Sequence, residues 1–278
     1  MADNPEMKLF VFFLLIGGAV WAGRFFVRAR RRHKRRVISG RPFPPEWSAI
    51  LINNLPPYQK MPPELQQQLH DCIKIFIAEK SFEGCGELAI TDEIKVTIAA
   101  QACMLLLNRT NACYPKLYSV LVYPSTYVAG TRSGLTLPPT DSSVRLGESW
   151  NHGAVVLAWD SVKNGAVNFR DGHNVTMHEF AHQLDQEDGR GDGAPILETR
   201  SAYSAWSQVF SKEYQLLQYK TRKGQKSVMD TYGATDPAEF FAVATETFFE
   251  KPAQLKKKHP ELYHELQGFY KVNPIEWA

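Results

Sequence analysis

Apolar and polar residues follow two different periods along the chain, and these periods predict helices and strands. Apolar residues that recur every three or four positions predict helices, whereas short β-rich runs between turn residues predict strands. The predicted helices cover residues 64–80, 92–107, 199–219, 237–249 and 261–270, with another around 178–182. The predicted strands cover 87–90, 117–122 and 154–159, and the proline-rich residues 38–63 are predicted to form a turn-rich linker. This mixture predicts an α+β fold.

The first 37 residues have a pattern of their own. Residues 9–23 form an uncharged apolar run of 15 residues, and the strongly basic stretch 28–36 follows it. About 20 apolar residues are needed to cross a bilayer, and Lys8 and Arg24 could extend the run by placing their charges in the headgroup region. A cleavable signal peptide carries its positive charge before the apolar run, not after it. We therefore expect a single-pass inner-membrane anchor over residues 1–37, with a cytoplasmic domain over 38–278. An atypical signal peptide and a membrane-surface helix are the alternatives.

The charge balance supports this division of the chain. The formal net charge is +3, but residues 1–36 hold nine Lys or Arg and two acids, a net +7, which leaves the rest near −4. A basic segment after an apolar run more often meets lipid headgroups than DNA. Direct nucleic-acid binding is therefore not expected. The four cysteines have no zinc-ribbon spacing and are too few for a disulfide scaffold; Cys103, in an apolar helix, is predicted to be a buried thiol.

The segment His178-Glu179-Phe-Ala-His182 carries the strongest chemical signal. Histidines four residues apart on a helix project from one face, so both can reach one zinc ion. Glu179 is displaced from that line, which suits a general base that acts on a zinc-activated water. Asp171 or Asn174 can cap the helix. The alternative is a surface helix with two unrelated histidines.

A catalytic zinc generally has three protein ligands, so a third is required. His259 and His264 lie in a lysine-rich segment that is expected to be exposed. Glu239 and Glu246 are better candidates, because they lie seven residues apart on one face of an apolar helix, where a carboxylate needs a partner. Glu239 can instead belong to a capping box that begins at Asp236. Spacing alone does not choose between the two glutamates.

Two flanking features have open interpretations. The run 153–159 before the motif is either a strand that pairs with an extended substrate or an ordinary core strand. Asp185 lies three residues after His182, where it either orients a ligating imidazole or remains a solvated acid at the helix end. The acidic, glycine-rich residues 186–195 lack the spacing of an EF-hand and are predicted to form a loop near the site.

Over residues 43–275, the chain resembles the Mlc titration factor A family of zinc metallopeptidases, whose catalytic core is related to anthrax lethal factor. The resemblance rests on the motif at 178–182, on Tyr232, and on 237–249, with further likeness at 43–47, 98–106, 122–124 and 147–150. It implies a zincin-like fold, Glu239 as the third zinc ligand and Tyr232 at the oxyanion. It also implies aminopeptidase-like peptide hydrolysis and a possible Mlc-type transcriptional repressor as partner. The rival hypothesis is a membrane-tethered protein that sequesters a regulator, with hydrolysis secondary.

Overall fold

The computed structural model describes residues 5–109, 113–125, 127–128, 144–145, 147–150 and 153–277. The chain divides into two compact units, Met1–Pro42 and Phe43–Ala278. The helices are α1 Pro5–Ser39, α2 Pro45–Asn54, α3 Pro63–Glu79, α4 Asp92–Met104, α5 Trp159–Val167, α6 Val175–Asp185, α7 Arg200–Arg222, α8 Pro237–Glu250, α9 Pro252–Lys258 and α10 Pro260–Tyr270. The strands are β1 Ser81–Gly84, β2 Ser119–Tyr123, β3 Tyr127–Val128, β4 Val144–Arg145, β5 Gly147–Trp150 and β6 Ala154–Ala158.

The first unit is built around the long helix α1. Trp21, Phe25 and Phe26 are exposed on it, and the basic residues follow in its second half. Within the described residues, no helix combines the length and the apolar character needed to cross a bilayer. The predicted single-pass anchor therefore finds no support in the structure. Its uncharged run of 15 residues is shorter than a usual span of about 20.

The second unit contains a four-stranded mixed sheet in the order β1-β2-β6-β5. The pairs β1–β2 and β2–β6 are parallel, and β5–β6 is antiparallel. Strand β6 is thus an interior strand, and four of its five residues are buried. This favours the core-strand interpretation of residues 153–159, because the neighbours β2 and β5 already occupy the backbone hydrogen bonds that a substrate would need.

Helices α4 and α8 pack against α6, the helix that carries the metal motif. All but three residues of α4 are buried, and this helix packs against α3, α5 and α6. Helix α6 packs most extensively against α8, and both place aromatic residues inside the core. Phe180 of α6 contacts the rings of Phe76 and Tyr114, at centroid distances of 5.6 and 4.8 Å. These contacts fix the face of α6 that points away from the core, and that face carries the histidines.

Two predicted elements are wrong. Residues 87–90 form no strand, because Gly86 and Glu87 have φ values of 58° and 64°, in the left-handed region that ends an extended run. The strand lies instead at Ser81–Gly84. The predicted linker contains the helix Pro45–Asn54 and a 3-10 turn at Pro56–Lys60. Prolines at the first helical positions start these helices instead of preventing them.

Candidate metal centre

Helix α6 positions the motif through the capping residue Asn174. Its side-chain oxygen accepts a hydrogen bond from the backbone N–H of Met177, at 2.9 Å, and so begins the helix. Asp171, the other predicted cap, accepts instead from the N–H of His173 within the preceding turn. One helical turn separates His178 and His182, and their Nε2 atoms lie 3.2 Å apart. Both imidazoles therefore present the same nitrogen to one point.

Helix α8 supplies the third group. Asp236 caps it by accepting from the N–H of Glu239, and Pro237 is its first residue. Glu239 Oε2 lies 2.9 Å from His178 Nε2 and 3.5 Å from His182 Nε2. The ligand atoms of these three residues all lie within 4.8 Å of one another. The structure therefore brings together the two histidines and the glutamate that the sequence and the resemblance predicted.

The donor set fits a zinc ion. Two imidazole nitrogens and one carboxylate oxygen are the ligands of many catalytic zinc sites, which keep a further position for water or substrate. His178, His182 and Glu239 are thus the residues that could hold the metal.

Glu246 lies on the opposite side of the His178 ring from Glu239. Its Oε1 is 2.7 Å from His178 Nδ1, and its Oε2 accepts a hydrogen bond from the backbone N–H of Asn174 at 2.5 Å. A carboxylate at Nδ1 accepts a hydrogen bond from that nitrogen, so in the neutral imidazole Nε2 is the nitrogen whose lone pair is available to a metal. The two glutamates that spacing could not separate therefore occupy different places, and Glu246 does not belong to the group of candidate ligands.

The site is electrostatically coupled. Burial lowers the pKa of His178, but hydrogen bonds to Glu239 and Glu246 outweigh it and raise the pKa well above its usual value. Burial raises the pKa of Glu239, but hydrogen bonds to the two histidines lower it far more. Glu179 is 5% exposed, and burial raises its pKa to about 7, against the opposing effect of the histidines. A carboxyl group that titrates near neutrality can both take and return a proton.

Tyr232 stands at the solvent side of the site. It lies in a 3-10 turn, Thr231–Ala234, that Asp230 caps by accepting from the Tyr232 N–H at 2.7 Å. Its hydroxyl donates to Glu239 Oε1 at 3.4 Å, and its ring is 6.0 Å from that of His178. Burial and the charge of Glu239 raise the pKa of Tyr232 to about 12, so the hydroxyl keeps its proton. With 54% of its surface exposed, the side chain can contact a bound molecule.

Burial raises the pKa of Asp185 to about 6 and the nearby His182 opposes that rise, so the role of Asp185 beside a ligating imidazole stays a prediction, whereas the solvated alternative is wrong. Asp185 is 1% exposed, so it is not a solvated acid, and its Oδ2 accepts from the backbone N–H of Gly193 at 2.9 Å. Gly193 also accepts a hydrogen bond from Trp206 Nε1 through its carbonyl. A Cβ on Gly193 would lie 2.3 Å from the carbonyl oxygen of Pro237. Asp185 therefore holds the loop after the motif closely against the start of α8, the helix that carries Glu239.

A second carboxyl group lies beside Asn174 and was not predicted from the sequence. Glu250 accepts from the Gly172 N–H at 2.8 Å and from Asn174 Nδ2 at 3.1 Å, and burial raises its pKa to about 8. The signal was present, because Glu239, Glu246 and Glu250 share one face of an otherwise apolar helix. The segment with His259 was also misjudged: His259 is 2% exposed, and its Nδ1 lies 2.7 Å from Glu213.

Comparisons with known proteins agree with this geometry. The model of the family described as glucose-regulated metallo-peptidase M90 matches residues 28–271. The uncharacterized protein slr2042 of Synechocystis sp. is 43% identical over 246 residues, which cover 87% of this chain and 89% of that protein. Mlc titration factor A of Pectobacterium atrosepticum is 30% identical over 234 residues, 82% of this chain and 86% of that protein. That of Serratia proteamaculans is 30% identical over 215 residues, 76% and 81% of the two chains. Together, the metal motif and these matches confirm the resemblance: the chain belongs to the glucose-regulated metallo-peptidase M90 family, together with the Mlc titration factor A proteins.

Proposed function

We propose that this protein is a zinc-dependent metallopeptidase that hydrolyses peptides. The observation that carries the proposal is the convergence of His178, His182 and Glu239, whose ligand atoms lie within 4.8 Å of one another, beside the buried Glu179. In the proposal the first three residues hold zinc and Glu179 is the general base. The family match supports a metallopeptidase, and the finer assignment of aminopeptidase-like activity rests on the resemblance to the Mlc titration factor A proteins.

The residues around the metal position divide the chemistry between them. Zinc, when bound, supplies a Lewis acid that polarises the scissile carbonyl and lowers the pKa of water towards neutrality. Glu179 accepts the proton of the attacking water and returns it to the leaving amine. Tyr232 donates a hydrogen bond from its hydroxyl to the carbonyl oxygen as negative charge develops there. Glu246 holds His178 in one orientation and one tautomer.

The substitution Glu179→Gln tests this proposal. It removes the proton acceptor and retains the size of the side chain, so zinc content should stay near that of the unsubstituted protein. Peptide hydrolysis should fall by about 100- to 10,000-fold, the usual contribution of a general base. Glu261→Gln is a matched control, because Glu261 is an exposed partner of Lys212 far along the chain from the motif. A Glu179→Gln protein that cleaves peptides at the normal rate would refute the mechanism.

We also propose that the protein binds an Mlc-type repressor, because several of its relatives carry the name Mlc titration factor A. Sequestration and hydrolysis are separable hypotheses. If Glu179→Gln abolishes peptide cleavage while the purified protein still retains a purified Mlc-type repressor, binding does not depend on catalysis. If neither protein form retains the repressor, this second proposal fails and the first is untouched.

The first unit suggests a membrane-surface role. Helix α1 exposes Trp21, Phe25 and Phe26, at 63–70% of their surface, directly before the basic residues 28–36. Aromatic side chains enter the headgroup layer, and each nearby Lys or Arg adds about 1 kcal/mol of attraction to an anionic leaflet. We propose that α1 holds the enzyme at the cytoplasmic surface of the inner membrane.

A further inference from the structure

Three of the four cysteines meet inside the second unit, away from the histidine motif. Cys72 lies on α3, Cys103 lies near the end of α4, and Cys113 follows α4 in the chain. Their sulfur atoms all lie within 4.8 Å of one another. The fourth cysteine, Cys85, follows β1 and is not part of the cluster. Residues 31 and 10 positions apart in the sequence are thus brought to one point by the tertiary fold.

The surroundings of this three-cysteine cluster are apolar. Cys103 is completely buried, Cys113 is 4% exposed, and Cys72 is half-buried, so Cys72 is the most exposed member of the cluster. Tyr114 follows Cys113 and packs on Phe180 of α6, which places the cluster on the core side of the motif helix. Among the described residues, the group contains sulfur ligands only, with no histidine or carboxylate. Burial raises the pKa of Cys103, which favours the protonated thiol at that residue.

A sulfur-only set of three ligands selects for soft metal ions. With metal–sulfur bonds of about 2.3 Å, three sulfurs in a trigonal arrangement lie about 4.0 Å apart, so the observed spread needs to close by less than about 1 Å. Small side-chain rotations can supply that change. A structural zinc site requires four protein ligands, which the described residues do not offer here. Monovalent copper accepts three thiolates without a fourth ligand.

We propose that Cys72, Cys103 and Cys113 form a binding site for Cu(I), separate from the candidate zinc centre. Each thiol that ligates copper releases its proton to solvent, and the copper keeps its oxidation state. Deprotonation links affinity to pH, so binding should strengthen as the pH rises. The site would join α3, α4 and the segment after α4, and would stiffen the packing behind the motif helix.

The test uses the full-length, zinc-loaded protein under anaerobic conditions, with Cu(I) added as its acetonitrile complex. We expect one equivalent of tightly held Cu(I) in competition with a chromophoric chelator, and X-ray absorption that shows three sulfur neighbours and no nitrogen. Cys72→Ser should weaken binding by about 100-fold or more, since loss of a direct ligand exceeds the usual effect of its outer partners. Cys85→Ser is the matched control and should bind copper normally.

Protection from alkylation gives an independent readout that needs no variant. One equivalent of Cu(I) should protect Cys72 from iodoacetamide in the folded protein, while Cys85 continues to react. The proposal is overturned if copper protects neither thiol, if the copper has nitrogen neighbours, or if Cys72→Ser binds it as tightly as the control. Circular dichroism of each variant shows whether weaker binding reflects the ligand or the fold.

Discussion

Glu246→Gln tests whether Glu246 orients His178 while Glu239 binds the metal. The Glu246 carboxylate accepts two hydrogen bonds, one at His178 Nδ1 and one from the backbone N–H of Asn174. A glutamine side chain has one acceptor oxygen and one donor NH₂ in these two places. Whichever way the amide turns, its NH₂ group must therefore face either the His178 Nδ1–H or the Asn174 N–H, which is also a donor.

The size of the effect follows from that mismatch. A buried donor left without an acceptor costs about 1–3 kcal/mol. If the NH₂ faces His178, the imidazole changes tautomer, and its Nε2 carries a hydrogen where the metal would bind. If the NH₂ faces Asn174, the start of α6 loses a bond instead. We expect zinc affinity and activity to fall together by about 10–100-fold, the usual effect of a group that orients a ligand.

The assay compares Glu246→Gln with Glu239→Gln and with the surface control Glu261→Gln. Zinc affinity is measured by competition with a chromophoric chelator, and peptide hydrolysis by initial rates at one buffered free zinc concentration for all proteins. Glu239→Gln should lose metal to a far greater extent, because it alters a direct ligand. The assignment is refuted if Glu246→Gln loses zinc as completely as Glu239→Gln, or if it binds zinc like the surface control.

Three further outcomes follow from the structure. Tyr232→Phe should keep zinc and fold but lower kcat by about 100- to 1,000-fold, the loss of one oxyanion donor; an unchanged kcat would exclude that role. The folded protein keeps the Glu250 proton up to about pH 8, whereas the unfolded chain releases it near pH 4.5. The free energy of unfolding should therefore fall as the pH rises between these two values, by at most about 1.4 kcal/mol per pH unit. Glu250→Gln should flatten that fall in urea titrations from pH 5 to 8, and an unchanged slope would contradict the burial argument. Deletion of residues 1–36 should abolish sedimentation with vesicles that contain anionic lipid, while activity on peptides is retained. If the full-length protein binds purely zwitterionic vesicles equally well, the proposed attraction of its basic residues to anionic lipid is contradicted.

The sequence determined the local parts of this site. A spacing of four residues places His178 and His182 on one face of any helix, and a side-chain acceptor at Asn174 begins that helix where the backbone N–H groups lack partners. Asp236 and Pro237 fix the start of α8 for the same reasons. These interactions join residues within one helical turn, so they could be predicted without knowledge of the fold, although the choice between Asn174 and Asp171 as the cap stayed open.

The tertiary structure decided everything that depends on how helices approach each other. Glu239 and Glu246 share a helix face, and only the packing of α6 on α8 places one beside Nε2 and the other beside Nδ1 of His178. The three-cysteine cluster has no sequence signature for the same reason, because its members come from separate segments. The prediction of a strand at residues 87–90 was wrong because Gly86 and Glu87, both in the left-handed region, interrupt a β-rich run. Local hydrogen bonds join residues that are neighbours in sequence. Which side chains from distant segments come into contact depends instead on how the core packs.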